Sequence, residues 1–110
     1  MKVQVQVTNP YGGGTNWVQV VGYPVAGGLV AHRQHDCRGK MLKAWGISHM
    51  RSGVLVRGAF HTRRAALIWA NDESPPVDWT KSWGKLVADG LLDHPRMKAS
   101  LSGLLTGRSF

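Results

Sequence analysis

The stretch Leu42–Arg57, LKAWGISHMRSGVLVR, running on into residues 58–72, GAFHTRRAALIWAND, decides the fold. Leu42 to Met50 reads as a strand, with Lys43, Trp45, Ile47 and His49 on one face and Leu42, Ala44, Gly46 and Ser48 on the other, and Val54 to Arg57 reads as the next strand. Met50-Arg51-Ser52-Gly53 between them reads as a tight hairpin, with Gly53 free to take a positive φ. At Thr62 the pattern changes to a helical period: Thr62 is a good N-cap for a helix through Arg63, Arg64, Ala66, Leu67, Trp69 and Ala70 to about Asp72. A strand pair running straight into a helix is a local α+β unit.

Outward from this unit the same logic continues. Val3, Val5 and Val7 alternate with Gln4 and Gln6 as a first strand, and Asn9-Pro10-Tyr11-Gly12-Gly13-Gly14 is a turn. A second strand runs from about Trp17 to Gly22, where Tyr23-Pro24 ends it. Gly27-Gly28 precedes a third, Leu29 to Gln34. On the C-terminal side Ser74-Pro75-Pro76 breaks the chain. Asp78 is placed to cap a helix with Trp79, Trp83, Leu86 and Val87 on one apolar face, stopping at Gly90. His94-Pro95 opens a last helix with Met97, Leu101, Leu104 and Leu105 at the same spacing, ending at Gly107. The expected architecture is therefore α+β: an antiparallel sheet of four to five strands followed by two or three helices packed on one face. At 110 residues this is a single domain, strand-rich over 1–58 and helical over 62–107.

Composition narrows the class. An apolar fraction of 43% with five tryptophans supports a real core rather than a disordered chain. One cysteine, Cys37, leaves no internal disulfide and suits a reducing compartment. The segment MKVQVQVTNP carries no apolar signal core, and no apolar run approaches the ~20 residues that span a bilayer. A cytoplasmic protein without membrane contact is expected.

The net charge of +8 is unevenly placed: residues 32–64 hold +7, with Asp36 their single acid. Such asymmetry is the usual footprint of a nucleic-acid surface. The candidate binding residues are Arg33, Arg38, Lys40, Lys43, Trp45, His49, Arg51, Arg57, Arg63 and Arg64. Lys43, Trp45, Ile47 and His49 alternate onto one strand face. That face is either an aromatic and cationic surface for bases and phosphates, or core with Lys43 and His49 as strand-end residues. Arg63 and Arg64 sit in a first helical turn, where the helix dipole disfavours cations, which points to another use for them.

Catalytic and metal chemistry find less support. His32, His35 and Cys37 offer zinc-type ligands without the second matching pair that zinc sites use. Cys37 beside Arg33, Arg38 and Lys40 has a basic setting but no orienting third residue. Gly12-Gly13-Gly14 lacks the Lys-Ser/Thr of a phosphate loop. No catalytic residue, metal or cofactor is assigned.

Trp45-x-Ile47-Ser48-His49-x-x-Ser52-Gly53 followed by Gly58-x-Phe60-x-Thr62-Arg63-Arg64-x-Ala66 resembles the strand–turn–strand–helix unit of AP2-like domains and of the arm-binding domains of phage integrases. The resemblance spans about residues 43–70. It implies a three-stranded sheet that enters a DNA major groove with the helix packed behind it. The chain departs from those families in lacking their run of arginines on a third adjacent strand. Its general look is that of small phage or plasmid accessory proteins, inhibitors of bacterial defence systems included. The expected function is non-enzymatic nucleic-acid binding, to DNA or RNA. The alternative is a phage- or plasmid-encoded protein inhibitor, anti-CRISPR-like, that docks on a nucleic-acid-handling enzyme or an acidic protein.

Overall fold

In the computed structural model, which describes residues 1–8 and 14–97, the hairpin at the centre of the sequence is formed by β4 (Met41–His49) and β5 (Leu55–Phe60). They are preceded by β1 (Lys2–Thr8), β2 (Thr15–Val25) and β3 (Leu29–His35). The five strands form one antiparallel sheet in the order β1-β2-β3-β4-β5, each paired with its sequence neighbour. Helix α1 (Arg63–Ile68) follows, then α2 (Trp83–Ala88). The protein is an α+β fold.

The face of β3 and β4 that carries Leu29, Ala31 and Ile47 is covered by α1 together with Trp69, Ala70, Trp79, Leu86, Leu91 and Met97, all buried. Thr62 caps α1 through its hydroxyl, which accepts from the Ala65 N–H at 3.0 Å. Regular α-helix ends at Ile68, short of the Asp72 boundary that the sequence pattern gives. Residues Trp69–Glu73 continue as a π-helical turn, closed by a 2.8 Å bond from Ser74 N–H to Trp69 O. The wider turn brings both Trp69 and Ala70 inside, and Pro75 then forbids further helix. The second helix starts later than the Asp78 cap implies. Ser82 is its N-cap, accepting from Lys85 N–H at 3.2 Å, while Asp78 closes a local turn with Thr80. Trp79 is nevertheless buried, from a loop. The expected apolar positions Leu101, Leu104 and Leu105 and the 9–13 turn lie outside the described residues.

The opposite face of the sheet is not open. Met1 and Gly22 exchange backbone bonds in both directions, so odd-numbered N–H groups of β1 face β2 and even-numbered ones face away. Gln6 uses this outward N–H to reach Gly53 O at 2.8 Å, tying the first strand to the β4–β5 turn. The sheet thus rolls over on itself, enclosing Val5, Val20, Val30, His32 and Ser48. The same alternation explains why β2 runs on through Pro24 to Val25, past the expected stop. The nitrogen of Pro24 lies on the side of Gly22 N, beyond where β1 begins, so no ladder bond is lost. In β5, Gly58 and Ala59 together oppose Gly46, a bulge that places Ala59 at φ 66°. The Gln34 carboxamide oxygen accepts the displaced Ala59 N–H at 2.6 Å. Among the described residues no helix is long and apolar enough to cross a membrane.

Candidate polyanion-binding surface

α1 covers only part of its sheet face. Towards the 36–40 turn the same face continues as Arg33 on β3 opposite Trp45 on β4, with Tyr23 of β2 beside them. β5 runs antiparallel to β4, so its end and the start of α1 return to this end of the sheet. Four side chains consequently form a row. The Arg63 guanidinium lies 4.6 Å above the Tyr23 ring, Tyr23 and Trp45 are 6.0 Å apart, and the Arg33 guanidinium is 6.0 Å from the Trp45 ring. Arg33 is fixed further by a 2.7 Å bond from Nε to Leu42 O. Each ring already carries an arginine, an arrangement worth about 0.5–1 kcal/mol per pair at exposed sites. Tyr23 also answers why an arginine stands in the first turn of α1: it gains a ring contact of the same order as the modest dipole cost.

Arg38, Lys40 and Lys43 are exposed beside this row, as are Arg63 and Arg64. The single acid of the segment is spent on its own turn. The Asp36 carboxylate accepts from the backbone N–H groups of Arg38 and Lys40, both at 2.9 Å. The Lys40 N–H above all, then that of Arg38 and the charges of both side chains, hold Asp36 below the usual carboxylate range. This leaves the turn to present its cations.

Trp45 is half-buried and packs against the core cluster, which places it between the two sequence readings. It supports the Arg33 guanidinium, 6.0 Å from its ring, and meets the tilted Tyr23 ring at the same distance. Three of the expected residues lie elsewhere. His49 is fully buried beneath Trp79 and Trp83, with ring centroids 6.4 and 5.6 Å away. Its Nε2–H is shared between Trp79 O at 2.8 Å and Lys81 O at 2.9 Å, and its Nδ1 accepts from the Ser52 hydroxyl at 2.7 Å. Arg51 belongs to the turn at the opposite end of the hairpin and donates to Thr80 O at 3.1 Å. Arg57 lies between Phe60 and Trp69, 5.7 and 5.9 Å from their centroids. Burial lowers the pKa of its guanidinium, opposed by the nearby Glu73 charge. Its Nε and Nη1 are buried without a hydrogen-bond partner among the described residues.

Sequence reasoning missed Tyr23. The signal for it was the pairing of β2 with β3, which sets Tyr23 opposite Ala31, and a strand ended at Gly22 hides that register. Among the described residues no three His, Cys, Asp or Glu side chains come together as a metal site. The His32 imidazole is engaged at both nitrogens, by Arg33 O at 2.8 Å and Ser48 Oγ at 2.7 Å. No protein-family model matches the chain, and no curated protein or solved structure matches it.

Proposed function

We propose that this protein acts without catalysis, by binding the phosphate backbone of a nucleic acid at the end of the sheet where β3, β4 and α1 meet. The observation that carries this reading is the row Arg63–Tyr23–Trp45–Arg33. It supports two guanidiniums on rings beside exposed Arg38, Lys40 and Lys43, with one self-engaged acid in the segment. Arginines braced in this way lose little entropy on meeting phosphate, and their fork matches two phosphate oxygens. Because each ring already carries an arginine, backbone contact rather than base stacking is the mode expected. The groove-entering sheet of the arm-binding families is not part of this reading, since the first strand folds over part of the face opposite α1.

Electrophoretic shifts with double- and single-stranded DNA and RNA at rising salt test the proposal. Binding that weakens steeply with salt and varies little with sequence is the expected result. Absence of a shift for every nucleic acid at low salt would sink direct binding. The same cations would then be assigned to an acidic partner protein, the inhibitor reading.

A further inference from the structure

The roll of the sheet is incomplete. β1 meets the β4–β5 turn at Gln6 and Gly53, and beyond that contact a cavity of about 380 Å³ opens, lined by Val5, Gln6, Val7, His32, Gln34, His35, Val54 and Leu55. Its size falls within the ~300–1,000 Å³ of small-molecule sites, and its lining divides evenly between apolar and uncharged polar side chains. None of the lining residues is a Lys, Arg, Asp or Glu.

The polar groups of the lining have hydrogen-bonding capacity left over, and its sense can be read from their fixed bonds. Gln34 Oε1 takes the Ala59 N–H, which sets the amide orientation and leaves Nε2 as a donor without an acceptor among the described residues. Gln6 Nε2 donates to Ser52 O at 2.7 Å, leaving Oε1 as an acceptor. His35 Nδ1 donates to Arg33 O at 3.2 Å, so in the neutral ring Nε2 is an acceptor. The His32 ring, engaged at both nitrogens, adds a flat wall. An uncharged lining whose residues hold one unspent donor and two unspent acceptors beside three valines and a leucine suits a planar, neutral heterocycle with a mixed donor–acceptor edge. It does not suit an ion. Immediately after His35 the chain enters the turn bearing Arg38 and Lys40, so a ligand with a neutral ring and an anionic tail fits both environments.

We propose that this seam cavity binds the base of a nucleotide, with the phosphate outside towards the 36–40 turn. The phosphate part rests on the polyanion reading above; the base part does not.

Titration calorimetry with the four ribonucleoside 5′-monophosphates, their nucleosides and ribose 5-phosphate tests it on the intact chain. At least one monophosphate should bind saturably, its nucleoside more weakly, and ribose 5-phosphate not measurably. Leu55→Trp, at an exposed rim position, should fill the cavity and weaken the monophosphate at least tenfold. The salt dependence of long nucleic acid should stay unchanged. Should Leu55→Trp lower the melting temperature, His35→Phe, which removes one acceptor, provides the second variant with the same expected loss. No heat from any monophosphate at millimolar concentration, or equal binding of ribose 5-phosphate, overturns the cavity proposal, and intact polymer binding then leaves the surface reading in place. Monophosphate binding sensitive to Leu55→Trp, without polymer binding, supports the cavity and overturns the surface.

Discussion

At the scale of single residues, two buried histidines hold distant parts of the chain together. His49 joins the hairpin to the 79–81 loop through two carbonyls and to the turn through Ser52. His49→Ala leaves those carbonyls unpaired and opens space beneath two tryptophans, and should cost about 2–4 kcal/mol in urea unfolding. His32 lies inside the roll, where desolvation foremost depresses its pKa below 6.5 and the nearby His35 charge adds to this, against the raising effect of Arg33 O. The folded state therefore binds fewer protons than the unfolded chain once the pH drops below about 6.5, so stability falls with pH through that window. The slope contributed by one such group approaches at most about 1.4 kcal/mol per pH unit. Denaturation midpoints at pH 7.5 and 5.5 should fall further for the native sequence than for His32→Gln. In the sequence His32 reads as a zinc-type ligand without a matching pair and His49 as a member of a strand face that is either a binding surface or core, and nothing local marks either imidazole as a buried tie. Apart from Arg33 O and the Ser52 hydroxyl, their partners lie 16 to 32 positions away, and burial of an imidazole depends on such partners.

Elements show a sharper division between what local pattern carries and what it does not. All five strands are legible in the sequence, the first by strict alternation, and the Thr62 cap and the Gly53 turn are chemical necessities legible at their own positions. Pattern is silent on how far a sheet rolls. The closure of β1 onto the hairpin turn, the Ala59 bulge and the Gln34 contact that stabilises it arise from pairing across tens of residues. The π-helical turn is equally hidden, because Trp69 and Ala70 fit an ordinary helical period. Gly53 makes the closure testable. It has φ +76°, and a Cβ there would meet the Trp17 ring at 2.7 Å and Gln4 O at 2.9 Å. Gly39 has φ +84° with open space around its Cβ position. Gly39→Ala should therefore cost only the left-handed backbone term, about 1–2 kcal/mol. Gly53→Ala should cost measurably more by the same thermal or urea assay, because it also pushes the first strand off the turn. Equal costs would mean that the Gln6–Gly53 contact does not close the sheet.

Across the whole molecule, charge is segregated. Within the helical half Asp89 pairs with Lys85 at 3.0 Å and more loosely with Lys81 at 3.9 Å, while Glu73 lies near Arg57 of β5. The basic excess of residues 32–64 was plain in the sequence; which of its members share a surface was not. Strand register and the return of α1 place Arg33, Arg38, Lys40, Lys43 and Arg63 at one end and Arg51 at the other. The two groups consequently make different predictions although their charge is the same. Replacing Arg38, Lys40 and Lys43 together by Gln should flatten the dependence of log K on log salt by about 0.9 for each B-DNA phosphate no longer neutralised. These side chains are exposed, and the melting temperature should hardly move. Arg51→Gln changes net charge by one and gives up a single exposed bond to Thr80 O, so it should leave the slope within error. If Arg51→Gln lowers the slope as much per charge as the triple change, binding responds to net charge alone. The surface at the 36–40 end would then lose its claim to be the site.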